Sequence, residues 1–190
     1  MADIVHLSQN LGYQLAGRLA LRRMKPETRF DNVVAASVAR ALQGEIDADE
    51  QLWRDSIERM RRTLSRDDTL LTYSDYGHDD PETGAPPVVA RTIGEVQAST
   101  VPPHHGLALH VLARDIRPSS CLELGTCLGI SAAYIASALD ANGHGRLTTL
   151  EGGKDLSRVA SINFSRIGLE NTRFVTGRFS EVLPDVLPEI

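Results

Sequence analysis

Apolar residues recur at helical spacing in the first part of the chain. Residues 1–24 carry four leucines spaced four residues apart, Leu7, Leu11, Leu15 and Leu19. This period predicts an amphipathic helix, because every fourth side chain lies on the same helix face. We favour packing of this helix against protein over binding to a membrane surface.

The same pattern predicts two further helices. Asp31 is the predicted N-cap of the first, which ends at Gly44. Asp47 and Glu50 have the spacing of a capping box and predict the start of the second. Its apolar stripe consists of Trp53, Ile57, Met60 and Leu64. The arginines off this stripe are predicted to face solvent: Arg54, Arg61 and Arg62.

Proline and glycine then interrupt the pattern, so residues 65–87 are interpreted as a loop or hinge. This segment contains His78, Asp79, Asp80 and Glu82, but a solvated loop is favoured over a metal site there. Residues 88–96 are expected to form a short helix. Another helix is predicted after Pro103, because proline suits the first helical turn.

From residue 119 onward, short apolar runs alternate with helical patterns. The strands are predicted at residues 121–124, 146–150 and 173–175, and the helices at 130–139, 156–167 and 180–187. Val159, Ile162 and Ile167 are expected to face the core. Alternation of this kind is typical of an α/β fold, in which helices cover a parallel sheet.

Composition excludes several classes of protein. The chain has 190 residues and a formal net charge of −5, which disfavours general nucleic-acid binding. No apolar run approaches the ~18 residues of a membrane span, and no signal peptide is apparent. Cys121 and Cys127 are interpreted as reduced thiols. Together these features predict a cytoplasmic protein that binds neither nucleic acid nor membrane.

The most informative stretch is SCLELGTCLGIS, from Ser120 to Ser131. Gly125 and Gly129 fall where the first parallel strand turns into its helix, and glycine there permits close approach of a ligand. Glu151 ends the next strand, where a carboxylate can accept hydrogen bonds from a ribose. The spacing is E-x-G-x-x-x-G, so a dinucleotide, which uses G-x-G-x-x-G, is the weaker interpretation.

LELGTCLGIS and the later LTTLEGG resemble motifs I and II of class I S-adenosylmethionine-dependent methyltransferases. They are most similar to the branch of catechol and caffeoyl-CoA type O-methyltransferases. NFSRIGLENTRFVTGRFSEVLPDVL also resembles that branch, so the similarity runs from about Tyr73 to Ile190. The resemblance implies a Rossmann-like methyltransferase fold with S-adenosyl-L-methionine as cofactor.

The resemblance also implies roles for individual residues. Gly125 and Gly129 would shape the cofactor turn, and Thr126 and Ser131 offer hydroxyl groups around it. Glu123 would lie near the methionine moiety. The ribose would be bound at Glu151, which Gly152 follows, and the adenine would lie near Gly177, with Arg178 or Phe179 as neighbours. The complete predicted cofactor set is Glu123, Gly125, Thr126, Gly129, Ser131, Glu151, Gly152, Gly177, Arg178 and Phe179.

The family fold continues with a fourth strand that ends in an acid, but this chain stops at Ile190. We therefore expect a truncated chain, with only strands one to three of the parallel sheet. Residues 1–72 are assigned to a helical N-terminal extension, 73–118 to a loop and helices leading into the core, and 119–190 to the first half of the cofactor domain. A divalent metal is expected only if a missing C-terminal part supplies its ligands.

The leading functional hypothesis is O-methylation of a small molecule. A homodimer is one oligomeric form that is considered for the protein. The catalytic base is not identified. His104 and His105 stand at a predicted helix start and are candidates, but a structural role is favoured over catalysis for both. One alternative is a truncated or degenerate methyltransferase-fold module that binds cofactor or a partner without catalysis. The other is an NAD(P)-dependent oxidoreductase, which the glycine spacing disfavours.

Overall fold

A computed structural model describes residues 28–77 and 85–190. The helix predicted within residues 1–24 lies outside this part, as do the four loop residues that were weighed as a metal site (His78, Asp79, Asp80 and Glu82). Within the described ranges, no helix is both long enough and apolar enough to cross a membrane.

The first described helix, α1 (Arg29–Gln43), begins three residues earlier than predicted. Its N-cap is Thr28, and Asp31 completes a capping box by accepting a hydrogen bond from the Thr28 backbone N–H at 2.9 Å. The prediction of Asp31 as N-cap was wrong because both residue types can cap, and Thr28 with Asp31 satisfies two backbone donors at once. Gly44 ends the helix in the left-handed conformation, as predicted.

The next helix, α2 (Ala48–Leu64), starts at the predicted capping box of Asp47 and Glu50. Ile57, Met60 and Leu64 are buried along the predicted stripe, and Trp53 packs partly buried against the same core. The prediction that Arg61 faces solvent was wrong. Its side chain is buried and donates hydrogen bonds to Glu58 and Thr100, which lets a charged group lie inside the fold.

An antiparallel hairpin follows, formed by β1 (Leu70–Ser74) and β2 (Val88–Thr92), with Leu70 opposite Thr92 and Ser74 opposite Val88. The short helix expected over residues 88–96 is therefore only partly present, as α3 (Ile93–Gln97). Thr92 is the N-cap of α3, and it ends the strand where the helix begins. The β-branched pair Val88–Val89 suits a strand once β1 provides a pairing edge.

The helix predicted after Pro103 is α4 (Pro103–Ile116), with Pro102 at its N-cap. It packs against α1 on one side and against α5 (Ile130–Ala141) on the other. Gly106 permits the close approach to α5, because a Cβ atom there would lie 2.3 Å from the ring of Tyr134. The Tyr134 hydroxyl in turn donates to Glu58 of α2 at 2.8 Å.

The predicted parallel sheet is present, with strand order β3-β4-β5. Its strands are β3 (Ser120–Leu124), β4 (Arg146–Glu151) and β5 (Thr172–Thr176), and α6 (Lys154–Ile167) connects the last two. The final helix, α7 (Phe179–Val186), precedes a short 3-10 turn at Leu187–Glu189. The predicted α/β class is confirmed.

The core lies between the sheet, α5 and α6, with α2 closing one side. Ile130, Leu139, Leu147 and Leu150 are fully or almost fully buried. Ile162 was predicted to face this core, but it is 40% exposed. Asn163 occupies the inward position instead and donates to the Leu128 carbonyl at 3.1 Å.

Candidate functional site

The turn between β3 and α5 closes at the carboxyl end of the parallel sheet. The backbone N–H groups of Gly125 and Thr126 both donate to the Leu150 carbonyl, at 2.8 and 3.1 Å. Gly125 and Gly129 have φ angles of +94° and +84°, which L side chains rarely adopt. The two glycines therefore let the chain turn sharply while it stays bonded to β4.

Glu151 joins this turn to the end of β4. One carboxylate oxygen accepts the backbone N–H of Cys127 at 2.7 Å, and the other accepts the N–H of Gly153 at 2.8 Å. Cys127 has a φ of +51°, an uncommon conformation for a residue with a side chain. The residue predicted to bind a ribose thus also holds two backbone donors in place.

Beneath the turn, the half-buried Glu123 carboxyl bonds to a chain of hydroxyl groups that includes the buried Thr149 and Thr126. The Thr149 hydroxyl donates to Glu123 at 2.6 Å and lies 2.6 Å from the hydroxyl of Thr126. Burial raises the pKa of the Glu123 carboxyl, while hydrogen bonds from Thr149 and Ser131 oppose that rise. The network thus links Thr126 and Ser131 to Glu123 beneath the turn.

One cavity of about 430 Å³ opens at this end of the sheet. Its volume falls within the range of roughly 300–1,000 Å³ that small-molecule sites occupy. Five of the ten predicted cofactor residues line it: Gly125, Glu151, Gly152, Arg178 and Phe179. Leu156 and Ser180 also contribute, and the first hairpin supplies the rest of the wall.

The other five predicted residues are not in the cavity wall. Glu123, Thr126 and Ser131 lie in the network below the turn, as described above. A Cβ atom at Gly129 would lie 3.0 Å from the Phe164 ring, so this glycine permits α5 to pack against α6. A Cβ atom at Gly177 would lie 2.5 Å from Val182, so that glycine lets α7 follow β5 closely.

The contribution of the hairpin to the cavity was not predicted from the sequence. Residues 73–77, Tyr-Ser-Asp-Tyr-Gly, follow β1 into the cavity wall, although they were interpreted as part of a loop. Burial raises the pKa of Tyr73. The Tyr76 ring is 42% exposed and lies 6.0 Å from the guanidinium carbon of Arg178. Two tyrosines beside a turn were the available signal, but only strand pairing brings them to the sheet edge.

The two candidate bases lie elsewhere in the structure. His104 and His105 form the start of α4, with ring centroids 4.3 Å apart, and neither belongs to the wall of the 430 Å³ cavity. Burial lowers the pKa of His104. Among residues 28–77 and 85–190, no three His, Cys, Asp or Glu side chains group together in a way that could hold a metal ion.

Comparison with known proteins gives the following similarities. No protein-family model matches the chain. It is 38% identical over 93 residues to a catechol O-methyltransferase of Niastella koreensis, covering 48% of this chain and 41% of that protein. The O-methyltransferase TomG of Streptomyces achromogenes, solved in complex with S-adenosylmethionine, is 31% identical over 45% of this chain and 38% of that chain, with a TM-score of 0.43.

The chain spans 41–45% of the length of the curated relatives it matches. The sequence similarity nevertheless agrees with the family predicted from LELGTCLGIS and LTTLEGG. The predicted resemblance is confirmed: over about half of its length, this chain is similar in sequence to curated O-methyltransferases.

Proposed function

We propose that this chain forms the cofactor-binding part of an S-adenosylmethionine-dependent O-methyltransferase that acts on a small molecule. The supporting observation is the convergence of residues from three successive strand ends on one cavity. Gly125 follows β3, Glu151 ends β4, and Arg178 with Phe179 follows β5. Ligands of open parallel sheets bind at this edge.

The cavity wall can accept hydrogen bonds from a ribose, and it lets a cofactor lie close to the protein backbone. Each carboxylate oxygen of Glu151 already accepts one backbone N–H, and each retains a further acceptor site for a ribose hydroxyl. A Cβ atom built on Gly125 would meet no other atom within 4 Å. The open side of this glycine therefore leaves room for a ligand beside the backbone.

Glu123 is proposed to act on the methionine moiety, directly or through water, from below the turn. Its carboxyl lies outside the cavity wall, and burial raises its pKa. A ligand ammonium group nearby would favour the charged carboxylate, because an opposite charge stabilises the ionised form. Thr126, Ser131, Gly129 and Gly177 are proposed to position the turns around the cofactor.

When bound, S-adenosylmethionine supplies a methyl group on a positively charged sulfur, which an oxygen nucleophile can attack. The work proposed for this chain is to hold the donor in one orientation, since positioning can supply a large part of the rate enhancement. The acceptor hydroxyl must also lose its proton to a base. No residue of the cavity wall is assigned that role. The three-part division at residues 72/73 and 118/119, and a homodimer, stay predictions.

Calorimetric titration with S-adenosylhomocysteine and with NAD tests this proposal. We expect S-adenosylhomocysteine to bind and NAD to bind far more weakly. Tight NAD binding without S-adenosylhomocysteine binding would instead favour the oxidoreductase alternative and reject the proposal. Binding of the cofactor with no methyl transfer to any of a panel of catechols and other phenols would favour the non-catalytic module.

A further inference from the structure

Gly152 follows Glu151 at the cavity, and an aromatic ring from another element occupies the space beside it. A Cβ atom built on Gly152 would lie 2.3 Å from Cδ2 of Tyr76 and 2.8 Å from Cε2. The φ angle of Gly152 lies outside the positive range that L side chains avoid. A larger residue at position 152 is therefore excluded by the Tyr76 ring and not by the backbone.

Tyr76 also faces the β5–α7 connection across the cavity. The guanidinium carbon of Arg178 lies 6.0 Å from the ring centroid, at the outer limit of a cation–π contact. Both residues line the cavity, together with Phe179. The ring thus belongs to the end of the cavity formed by the residues after β4 and β5.

The hairpin fixes the position of this ring. The backbone N–H of Asp75 donates to the Pro87 carbonyl at 2.9 Å, which extends the pairing of β1 with β2 by one residue. The Asp75 carboxylate accepts the N–H of Gly77 at 3.0 Å and so closes the turn around Tyr76. A Cβ atom built on Gly153 would lie 3.3 Å from the Cβ atom of Tyr73, so the hairpin also lies close to the residue after Gly152.

We infer that Tyr76 stacks against the purine ring of the bound cofactor. Gly152 has no side chain to contact the purine, so the Tyr76 ring from the hairpin forms that part of the cavity wall. This inference rests on the proposed function, because it requires an adenosine-containing ligand in the cavity. Tyr76 is 42% exposed, which leaves ring surface open for a flat purine to stack on. Tyr76 is thus a specificity-determining residue for the donor.

Replacement of the ring is the first test. The Tyr76→Ala variant should bind S-adenosylhomocysteine roughly 5- to 100-fold more weakly, the range expected for loss of one base–aromatic stack. Tyr76→Phe keeps the ring and should stay within about twofold of the wild type, a difference small against that stacking energy. Val88→Ala is the matched control, since Val88 lies in the same hairpin, is 70% exposed and does not line the cavity.

A second test uses the contact between Tyr76 and Gly152. Gly152→Met should weaken binding in the wild-type background, because the new side chain displaces the ring. In the Tyr76→Ala background the same substitution should strengthen binding, because methionine then provides the missing wall. An equal effect of Gly152→Met in both backgrounds would overturn the inference, even if one variant were less stable.

The ligand itself separates the possible outcomes. If the wild-type chain binds no S-adenosylhomocysteine, the proposed function fails and the inference falls with it. If the wild type binds and Tyr76→Ala binds equally well, only the inference is overturned. 5′-Methylthioadenosine keeps the adenosine but lacks the amino-acid part. The Tyr76→Ala substitution should therefore weaken its binding by the same factor as the binding of S-adenosylhomocysteine. A loss confined to S-adenosylhomocysteine would place Tyr76 away from the purine and reject the inference.

Discussion

The Glu151 carboxylate accepts the backbone N–H of Cys127 at 2.7 Å, across 24 positions of the chain. This bond joins the turn after β3 to the end of β4, beside the bonds from Gly125 and Thr126 to the Leu150 carbonyl. It also presents Cys127 in a left-handed conformation, with φ of +51°. Glu151, the residue proposed to bind the ribose, therefore also stabilises the turn after β3.

Replacing Glu151 should affect binding and stability together. Glu151→Ala removes the acceptor of two backbone N–H groups, which should lower the free energy of unfolding by about 1–3 kcal/mol. It should also weaken S-adenosylhomocysteine binding by at least ~1 kcal/mol, because hydrogen bonds to the ribose are lost. Glu151→Gln should restore neither the stability nor the binding fully. The amide N–H₂ of glutamine is itself a donor, so it cannot accept the backbone N–H that one carboxylate oxygen accepts.

Chemical unfolding and calorimetric titration, at a temperature where each variant is folded, measure the two effects of the Glu151 substitutions. Glu170→Ala is the control, because Glu170 is an exposed acid just before the amino end of β5. Unchanged affinity in Glu151→Ala would reject the ribose assignment, whatever happens to stability.

Glu123 should make stability depend on pH. Burial raises the folded-state pKa of this carboxyl above its ordinary value of 4.5. The fold therefore favours the protonated form, and the contribution of Glu123 is full below about pH 4.5 and decreases as pH rises through the folded-state pKa. Glu123→Gln does not titrate, so its Tm relative to the wild type should rise between pH 4 and pH 7.

Thermal unfolding of both proteins across that pH range measures this difference. Glu181→Gln, at an exposed position on α7, controls for the loss of one negative charge. A constant Tm difference between Glu123→Gln and the wild type across the range would contradict the raised pKa.

Two adjacent arginines of α2 should differ in their effect on stability. Arg61 is buried and bonded to Glu58 at 3.0 Å, whereas Arg62 is exposed. Arg61→Met should lower the free energy of unfolding by about 1–3 kcal/mol, because Glu58 loses a charged partner inside the fold. Arg62→Met should change it by less than about 0.5 kcal/mol. Urea unfolding of the pair checks this, and equal effects would contradict the buried contact.

Gly106 should not tolerate even one added methyl group. Its Cβ would overlap the ring of Tyr134, which is fully buried and bonded to Glu58. Gly106→Ala should therefore destabilise the chain by about 1–3 kcal/mol, although alanine is the better helix former. His105→Ala, at the exposed preceding position, is the matched control and should be nearly neutral. A stabilised Gly106→Ala variant would show that α4 and α5 are farther apart.

The parallel sheet could be predicted because each strand is a short apolar run between a turn signal and a helical pattern. LELGTCLGIS also indicated the position of the turn between β3 and α5, since glycine is the residue that permits a tight turn there. The hairpin could not be predicted in the same way. β1 and β2 are five residues each and pair across residues 75–87, so neither carries a clear period by itself.

The buried charges were also beyond prediction from periodicity. Arg61 lies off the apolar stripe of α2, yet Glu58 and Thr100 meet it inside the fold. A helical wheel records which residues share a face, but it cannot show which neighbouring element covers that face. Ile162 is the converse case, an apolar residue left 40% exposed because Asn163 takes the inward position.

The sequence by itself determined the order of strands and helices from residue 119 onward and the glycine turn at Gly125, because both depend on local periodicity and backbone sterics. LELGTCLGIS and LTTLEGG also carried the resemblance to O-methyltransferases, with which the sequence similarity over about half of the chain agrees. Only the tertiary structure decided which residues share the cavity. Tyr76 reaches Gly152 and Arg178 because an antiparallel hairpin ends beside the parallel sheet, and such a meeting depends on packing between distant segments.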